Sequence, residues 1–539
     1  MKIIHVSRYN KTGGAAIAGS RIFLAIKEYG IDSQRLIGED ELSFSKFKSA
    51  VVQLMLYPIK IRKGLLSLNL FSNNIVKKIN NSEADIVHLH WINDEMLSIE
   101  DISKINKPII WSIMDMWPFT GAEHYTDENH FKDAYMNRPI NKKINFYVNK
   151  WTWTRKKSSW KENIEIITPS KWLRDQAKSS DLMRNWNINV VPIPIDVNKW
   201  FPEDKKVSRE VLSLPKNKFL ILFGAQNIDD PVKGFDLLEK TLNYLKDDIK
   251  NYSLVMFGKK KDNLNFEHKY DIIYLDFLSN ENELRNLFSA VDVFVAPSRL
   301  EAFGQVASES QACGTPVVAY NNSGLVDVIS HLETGYLAKS FDTKDFAQGI
   351  MWAYRNIKNN KQNFISLKCR ERVLNNFSYK TIGKIYNEIY SNMLNSHKIK
   401  RNILHVNRYL SFGGAAEAFN RINGALSDNK KYYSKKLIGS IDAEKSRNIL
   451  LLILFPFTGN IRSSIAQLLI KILMFGSNQM RSISIFPTPT LSKINNSDCD
   501  LVHLHWVNDE MISIEDIGKI KKPIVWTFHD MWPFCGAEH

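Results

Sequence analysis

The sequence predicts an α/β protein made of doubly wound parallel sheets, and three observations lead to that class. Short apolar runs alternate with helix-length amphipathic stretches, which is typical of parallel β/α units. A stretch rich in proline and charge, VVPIPIDVNKWFPED, separates two such series. The opening of the chain then returns about 400 residues later. These patterns predict two complete domains of this class, followed by a partial third.

The two series of apolar runs predict the strands of the two complete domains. In the N-terminal domain, residues 1–195, they read IIHV, DIVHLHW, PIIWSI, IEIITPS and INVVPIP. In the second domain, residues 196–380, they read FLILFGA, YSLVMFG, DIIYLDF, VDVFVAPS and TPVVAY, with helices such as GFDLLEKTLNYLK between them. Residues 381–400 are expected to form a closing helix and a linker. Because ligands of doubly wound sheets bind at the carboxyl ends of the strands, the two domains are predicted to share one cleft.

A long internal repeat accounts for the rest of the chain. MKIIHVSRYNKTGGAAIAGSRI at residue 1 matches RNILHVNRYLSFGGAAEAFNRI at residue 401, and residues 82–124 match residues 497–539 with 31 identities in 43 positions. The period is too long for a solenoid, so it indicates a duplicated domain. Residues 401–539 are therefore predicted to be a truncated repeat of the N-terminal domain. An interrupted tandem fusion is favoured; a surviving accessory domain and a half-domain that lends His529 to another chain are the alternatives.

The composition is that of a folded protein and limits the kinds of site to expect. Apolar residues make up 44% of the chain and aromatic residues 11%, whereas disordered chains have few aromatics. The four cysteines form no CxxC pair and have no zinc-ligand spacing, so neither a disulfide framework nor a structural zinc site is predicted. The first residues read as a strand and not as a signal peptide, and no run of 18 apolar residues occurs. A cytoplasmic protein is expected.

The net charge of +15 has one notable concentration, in residues 44–81, which hold seven basic residues and no acidic one. A helix from this segment would lie on an anionic bilayer, which makes peripheral contact with the inner face of the cell membrane one interpretation. A core-facing pair of helices with a solvated basic face fits the pattern equally well. No nucleic-acid-binding signature accompanies the charge, so nucleic acid is not expected as a partner.

Two loops hold the candidate ligand-binding residues. In PSRLEAFGQVASESQACGTPVVAY, Glu301 follows a strand and Glu309 falls in the next helix. Two carboxylates placed this way accept hydrogen bonds from sugar and ribose hydroxyls, while backbone N–H groups near Gly304 face a phosphate. In TGGAA, Gly13 and Gly14 lie between a strand and a helix and let the backbone approach a ligand.

Together these motifs resemble retaining family 4 glycosyltransferases of the GT-B fold, in which two Rossmann-like domains face a cleft. The resemblance depends on the E-x7-E pattern between a strand ending in PS and a strand reading TPVVA, and it covers residues 1 to about 395. It implies transfer of a sugar from a nucleotide diphosphate sugar to a surface polysaccharide or lipid-linked glycan, with retention of configuration. The alternative is a catalytically impaired GT-B protein that binds nucleotide or glycan as a scaffold.

The resemblance also implies roles for single residues of the donor domain. Glu309 is expected to bind the nucleotide ribose, Glu301 the donor sugar, and Lys233 the diphosphate, where negative charge develops as the leaving group departs. The remaining donor-binding residues are expected to be Phe303, Gly304, Gln305, Ser323, Gly324, Gly13 and Gly14. Many relatives carry an arginine where this chain has Ala225 and Gln226, so a second cation would come from elsewhere, such as Lys259 or Arg299.

The acceptor-side domain departs from the family at Met114. Relatives carry a histidine at the end of the strand PIIWSI, and the repeat has it as His529. Because a thioether hydrogen-bonds poorly, activity is expected to be weakened unless Asp115, His88 or His90 substitutes. His88 and His90 are expected to face opposite sides of their strand, with only one of them in the cleft. Asp115 and His90 join Glu301 and Lys233 as catalytic candidates, and the expected acceptor contacts are His88, Trp91, Trp117 and His124.

The chemistry that the family implies requires neither a protein nucleophile nor a metal. The donor phosphate takes the acceptor proton on the face from which the leaving group departs. No DxD-type metal site occurs in an expected loop of this sequence. The sequence therefore predicts transfer without metal or cofactor, with the nucleotide sugar as co-substrate.

Overall fold

The computed structural model describes most of the chain in two compact units, Met1–Ser391 and Asn392–His539. The described residues are 1–10, 13–38, 42–60, 65–126, 128–136, 144–160, 163–228, 230–245, 251–259, 270–275, 280–398, 401–411, 413–427, 432–438, 488–509 and 511–530, with residues 249, 278, 484 and 533. Among them, no helix is both long enough and apolar enough to cross a membrane.

The first unit begins with a six-stranded parallel sheet in the order β2-β1-β3-β4-β5-β6. Its strands are β1 (Lys2–Ser7), β2 (Asp32–Ile37), β3 (Ile86–Leu89), β4 (Ile109–Ser112), β5 (Glu165–Thr168) and β6 (Ile188–Val190). The helices of this domain are α1 (Gly14–Glu28), α2 (Leu42–Lys60), α3 (Ile75–Asn81), α4 (Ile144–Ser159) and α5 (Lys171–Ser179). The strands β3 and β4 are buried along their whole length, and their sequences, IVHL and IIWS, are apolar except for His88 and Ser112.

A second parallel sheet follows in the same unit, in the order β12-β11-β10-β7-β8-β9. Its strands are β7 (Phe219–Asn227), β8 (Tyr252–Lys259), β9 (Ile272–Leu275), β10 (Val293–Ala296), β11 (Val317–Tyr320) and β12 (Gly335–Ala338). Its helices are α6 (Lys205–Val211), α7 (Phe235–Leu242), α8 (Glu281–Ala290), α9 (Gln305–Ala312), α10 (Leu325–Val328), α11 (Thr343–Lys358) and α12 (Gln362–Asn376). The two sheets confirm the predicted doubly wound α/β class.

The last helix of this part, α13 (Tyr379–Lys398), returns to the first domain. The hydroxyl of Tyr386 lies 3.1 Å from Ser112 Oγ at the end of β4, and the hydroxyl of Tyr390 lies 2.7 Å from His88 Nδ1 on β3. The helix begins and ends close to the predicted closing helix and linker of residues 381–400. The domain boundary near residue 195 stays a prediction.

The second unit holds a four-stranded parallel sheet in the order β14-β13-β15-β16. Its elements are β13 (Arg401–Asn407), α14 (Gly413–Ser427), β14 (Tyr432–Ile438), α15 (Thr490–Asn495), β15 (Leu501–Leu504), α16 (Ile514–Ile517) and β16 (Ile524–Trp526). The strand order is that of β2-β1-β3-β4, as the internal repeat leads one to expect. That residues 401–539 are a truncated repeat stays a prediction.

Candidate functional site

The loops after β10 and β11 pack backbone against backbone. Gly324 donates its N–H to the carbonyl of Glu301 at 2.7 Å, and a Cβ on Gly324 would lie 2.3 Å from the carbonyl oxygen of Ala302. Gly304, which begins α9, has φ 103°, and a Cβ there would lie 2.6 Å from Leu325 Cδ2. Only glycine fits at these two positions, so the glycines hold the Glu301 loop in place.

Glu301 and Lys233 form an ion pair beside this loop. Lys233 Nζ lies 2.5 Å from Glu301 Oε1, and Ser298 Oγ donates to the same oxygen at 3.3 Å. Lys233 is carried by a short turn, Pro231–Lys233, which the side chain of Asp230 caps by accepting from Val232 N at 3.0 Å. Although burial opposes it, the Glu301 carboxylate raises the pKa of Lys233. The two groups assigned to sugar and diphosphate from the sequence are thus in direct contact.

Glu309 pairs with a residue of the first domain. Arg21 Nη2 on α1 lies 2.6 Å from Glu309 Oε1, and both side chains are buried. Gln305 Nε2 donates to the carbonyl of Gly14 at 2.8 Å, so helices α1 and α9 meet at their N-terminal halves. Burial raises the pKa of Glu309, while Arg21 opposes that rise. Sequence reasoning missed Arg21, although the repeat carries the matching Arg421.

The other predicted donor-side residues differ in whether they are buried or open to a ligand. Phe303 is buried in the core of the second domain against Phe377, with ring centroids 5.6 Å apart, so its side chain packs and does not line a cleft. Gly13 has φ 88° and open space around it. Ser323 is buried with φ 54°, and its hydroxyl donates to Asn322 Oδ1 at 3.4 Å.

Arg299 and Lys259 are the two side chains that the sequence offers as a second cation. The Arg299 guanidinium makes two contacts with the Asp236 carboxylate, at 2.8 and 2.7 Å, and donates to the carbonyl of Pro231. Its position is therefore set by the turn that carries Lys233. The Lys259 side chain lies outside the described residues.

On the acceptor side, Asp115 has a full set of hydrogen bonds. Its Oδ2 accepts from Trp91 Nε1 at 3.1 Å and lies 2.6 Å from His124 Nδ1, and its Oδ1 accepts from Trp117 N at 3.0 Å. His124 Nε2 in turn lies 2.9 Å from Ser67 Oγ. All four predicted residues, Asp115, Trp91, Trp117 and His124, are thus brought together. Because Asp115, His124 and Ser67 are all buried, their arrangement shapes the loop after β4.

A fully buried lysine, which sequence reasoning missed, completes this loop. Lys156 Nζ on α4 donates to the carbonyls of Trp117, Thr120 and Gly121 and lies 3.8 Å from the centre of the Trp117 ring. Burial lowers the pKa of Lys156 well below its ordinary value. Nothing local in NFYVNKWTWTRKK distinguishes this lysine from its exposed neighbours.

Three histidines meet at the ends of β1 and β3. The rings of His88 and His90 lie 4.2 Å apart, so the expectation that they face opposite sides is wrong, because residues two apart in a strand share one face. His88 lies 2.7 Å from both Tyr390 and Ser112, and His5 Nδ1 lies 2.9 Å from His90 Nε2. Burial lowers the pKa of His90 to about 3, and it lowers those of His5 and His88 as well. The cluster is therefore a network of neutral imidazoles.

Met114 is partly buried and packs against the core of the second domain. In the second unit, the matching His529 places its Nε2 3.4 Å from His505 Nδ1. In the first unit, His90 corresponds to His505, and its Nδ1 has no hydrogen-bond partner among the described residues. Of the three groups offered as substitutes for the missing histidine, Asp115 and His88 are fully bonded and His90 is not.

Tyr125 is a further residue that the sequence did not single out. It follows the loop after β4 and is 38% exposed. Desolvation and the carboxylates of Asp115, Glu301 and Asp230 raise its pKa well above the ordinary value. Carboxylates of both domains thus contribute to the pKa of this hydroxyl.

The fold defined by these two sheets is that of GT-B glycosyltransferases. The sucrose-phosphate synthase of Thermosynechococcus elongatus is similar to it with a TM-score of 0.51 and 16% identity, covering 73% of this chain and 99% of the synthase. Residues 204–366 match the family model described as "Glycosyl transferases group 1". The chain therefore contains a glycosyltransferase group 1 domain, which holds Lys233, Glu301 and Glu309.

Two curated relatives show how far the sequence similarity extends. A D-inositol 3-phosphate glycosyltransferase of Arthrobacter sp. (strain FB24) is 31% identical over 194 residues, which are 33% of this chain and 45% of the relative. The alignment thus spans less than half of that protein. An uncharacterized 41.2 kDa protein in the cps region of Klebsiella pneumoniae is 25% identical over 400 residues, covering 72% of this chain and 99% of the relative.

Proposed function

We propose that this protein transfers a sugar from a nucleotide diphosphate sugar to a surface polysaccharide or lipid-linked glycan, with retention of configuration. The observation that carries the proposal is the Lys233–Glu301 pair at the carboxyl edge of the second sheet, within a group 1 glycosyltransferase domain. The pair offers a cation to a phosphate and a carboxylate to sugar hydroxyls, at the edge where parallel sheets bind ligands.

Each charged residue has a distinct task in this transfer. Lys233 stabilises the negative charge that the departing nucleoside diphosphate gains, and Glu301 accepts hydrogen bonds from the donor sugar. Glu309 accepts hydrogen bonds from the ribose, and Arg21 supplies the neighbouring positive charge that Ala225 and Gln226 lack. The acceptor proton passes to a phosphate oxygen of the donor as the new bond forms on the same face. No protein base, metal or cofactor takes part.

A thermal unfolding experiment on the full chain tests the donor site. A panel of nucleoside diphosphates and nucleotide sugars is added, and the shift in Tm is recorded for wild type and Glu309→Gln. One nucleotide sugar is expected to raise Tm in wild type, because a ligand that binds only the folded state stabilises it. The Glu309→Gln substitution should remove that shift, since the amide offers only one acceptor oxygen.

Glu371→Gln serves as the matched control, because Glu371 is 57% exposed and its one ion pair among the described residues is with Lys368 on its own helix. Its shift should equal that of wild type. If no member of the panel raises the Tm of the folded wild-type chain, the donor-site proposal fails.

A GT-B scaffold that binds nucleotide or glycan without transfer is the second candidate. Met114 favours this candidate, because the repeat has His529 at the same place. Of the three side chains that could replace a histidine there, Asp115, His88 and His90, only His90 has a nitrogen without a hydrogen-bond partner among the described residues. Turnover of Met114→His is compared with that of wild type. A strong rise in turnover would mean that Met114 impairs transfer in the natural protein. Little change in turnover would mean that other side chains do the work of the missing histidine.

We also propose that the chain contacts the anionic inner face of the cell membrane through α2. This helix buries Val52 and Leu56 but exposes Phe47, Leu54 and Met55, at 64%, 75% and 59%. Helix α4 packs on the same small core through Val148 and exposes Ile144, Tyr147 and Trp151 beside it. Exposed apolar side chains next to lysines are the pattern of helices that lie in a bilayer interface. Residues 61–64, which include two more basic residues of the segment 44–81, lie outside the described residues.

Sedimentation with vesicles tests this contact. The chain is expected to bind vesicles of phosphatidylserine and phosphatidylcholine more strongly than phosphatidylcholine alone, and less strongly as salt rises. Leu54→Ser with Met55→Ser should weaken binding. Val207→Ser with Val211→Ser, a change at two equally exposed apolar residues of α6, should leave it unchanged. Equal binding by both double variants would rule out α2 as the contact.

A further inference from the structure

Arg21 of α1 contacts two residues of α9 in the second domain. Its Nη2 donates to Glu309 Oε1 at 2.6 Å, and its Nη1 donates to Gln305 Oε1 at 3.4 Å. The guanidinium carbon also lies 5.8 Å from the ring centroid of Trp200, which is buried. These three contacts fix the guanidinium against the second domain, although the residue belongs to the first.

Glu309 uses only one of its two carboxylate oxygens in this ion pair. Oε1 accepts from Arg21, whereas Oε2 makes no hydrogen bond with the described residues and is not sealed from solvent. The side chain keeps 11% of its surface exposed. Because each carboxylate oxygen can accept hydrogen bonds, Oε2 is left for a hydroxyl group of a ligand.

Arg21 also keeps this carboxylate ionised. Burial raises the pKa of Glu309, and the charge and hydrogen bond of Arg21 lower it; Glu281 of α8 adds to the rise. An ionised acceptor makes the stronger hydrogen bonds. Without Arg21, the buried carboxyl would take up a proton at higher pH and would bind a hydroxyl group less well.

Other titratable groups beside this pair keep their charge state near neutral pH. Burial raises the pKa of the Cys313 thiol just after α9 and that of the Tyr379 hydroxyl near the arginine. Arg285 of α8 and Arg370 of α12 act on Cys313, and arginine stays protonated. A change in hydroxyl binding with pH would therefore report on Glu309.

The second unit shows the same arginine without this partner. Arg421 corresponds to Arg21 at an offset of 400 residues, and its side chain is 78% exposed. It pairs with Glu417, one turn earlier on its own helix. In the first unit that position is Ile17, so α1 has no carboxylate there to compete for Arg21.

We propose that Arg21 is a positioning residue of the donor site, which holds Glu309 in the orientation that binds the ribose of the nucleotide. Since Arg21 and Glu309 belong to different domains, ribose recognition then requires both domains in the arrangement described here. This assignment rests on the proposed function, in which Glu309 accepts hydrogen bonds from the ribose.

The test compares nucleotides that differ only in the ribose hydroxyls. Affinities of the full chain for UDP, GDP and their 2′,3′-dideoxy forms are measured by calorimetry at pH 6 and pH 9. For the nucleotide that wild type binds better, loss of the hydroxyls should cost at least about tenfold in affinity at pH 6, because hydrogen bonds to a charged acceptor are lost. In Arg21→Met that ratio should shrink to about threefold or less, with affinity for the dideoxy form within about twofold of wild type.

Two further variants serve as controls at pH 6. Arg184→Met changes an arginine that is 51% exposed and pairs with Asp181, and it should match wild type. Arg21→Lys keeps the positive charge and should retain more of the ratio than Arg21→Met. Equal loss in both Arg21 variants would overturn the assignment.

The pH dependence separates this role from a purely structural one. Because both forms of a nucleotide carry the same phosphates, titration of the phosphates cancels in the ratio of their affinities. The ratio in Arg21→Met should rise from pH 6 to pH 9, as Glu309 loses its proton, and should change less in wild type. A ratio equal to that of wild type at both pH values would show that Arg21 does not act on Glu309.

Failure of this assignment is distinct from failure of the proposed function. If wild type binds neither UDP nor GDP, the donor-site proposal fails, and if it binds the dideoxy form equally well, the ribose contact of Glu309 fails. Should Arg21→Met not fold, Ile17→Glu replaces it, because residue 17 is 39% exposed and Glu417 pairs with the arginine of the repeat from the same position. It is expected to reduce the ratio more than Ile17→Gln does, and equal ratios would overturn the role of Arg21.

Discussion

Buried polar side chains of the first domain fix the conformation of loops by hydrogen-bonding to their backbone groups. Lys156 is the clearest case, because its ammonium satisfies three backbone carbonyls of the loop that also carries Asp115 and His124. A chain that turns sharply after a strand leaves carbonyls without strand partners, and each buried carbonyl needs a donor. One lysine supplies donors to all three, so the acceptor-side loop keeps its shape without a ligand.

Lys156→Met should destabilise the chain by roughly 2 to 3 kcal/mol, because it leaves buried carbonyls without donors. The comparison is Lys157→Met, since Lys157 is 52% exposed and its one ion pair within the described part of the chain is a surface pair with Asp181 at 3.5 Å. That change should cost less than about 1 kcal/mol. The free energy of unfolding in urea is measured for both variants. Equal losses of stability would contradict the proposed role of Lys156 in holding the loop.

At the scale of elements, α13 joins the end of the second domain to the first sheet. Gly383 makes the close approach to α1 that this requires, since a Cβ there would lie 2.7 Å from Tyr29 Cβ and 2.8 Å from the carbonyl oxygen of Ala25. The hydroxyls of Tyr386 and Tyr390 then reach Ser112 and His88. Helix α13 thereby helps to set how the two domains of the first unit face each other.

Gly383→Ala should lower the Tm, although alanine is the better helix former by about 1 kcal/mol. The added methyl group clashes with backbone and side-chain atoms of α1 and must push the helices apart. Lys384→Ala, at an exposed neighbouring position, should leave Tm within about a degree or raise it slightly. A higher Tm for Gly383→Ala would show that the close contact between α13 and α1 does not constrain the protein.

For the whole molecule, the buried histidines set the response to acid. Burial lowers the pKa of His90 and His505 to about 3 and that of His405 to about 4. In the unfolded chain these groups take up a proton below about pH 6.5, while the folded chain resists it. Their contribution to stability is therefore complete above pH 6.5 and is lost as the pH falls toward 3.

Stability should accordingly fall between pH 7 and pH 5. A histidine whose pKa drops from 6.5 to about 3 on folding contributes roughly 2 kcal/mol of this loss at pH 5. Urea unfolding at both pH values is compared for wild type and His90→Asn, which keeps a hydrogen-bonding side chain but does not titrate. The variant should show the smaller difference, and an unchanged difference would mean that His90 is not the neutral, buried group described here.

Local pattern predicted ten of the twelve strands of the first unit and part of the site. It missed β2, which reads DSQRLI, and β12, which reads GYLA, because neither strand contains a long apolar run. Apolar runs marked those ten strands, and the local sequence placed Glu301 after a strand end. The role of Lys233 came from the family resemblance, and the structure shows that it lies beside Glu301. The prediction for His88 and His90 failed for a different reason. The two residues are separated by two positions, and the strand period of two puts such residues on one face.

By itself, therefore, the sequence determined the doubly wound α/β class, the internal repeat and the positions of the donor-side carboxylates, because periodicity and strand ends are local properties. Only the tertiary structure decided that Arg21 pairs with Glu309, 288 residues away, and that Lys156 closes the loop of Asp115. It also placed Phe303 in the core. Contacts between distant residues depend on how helices and domains pack, and the order of residues along one strand or helix does not encode that packing.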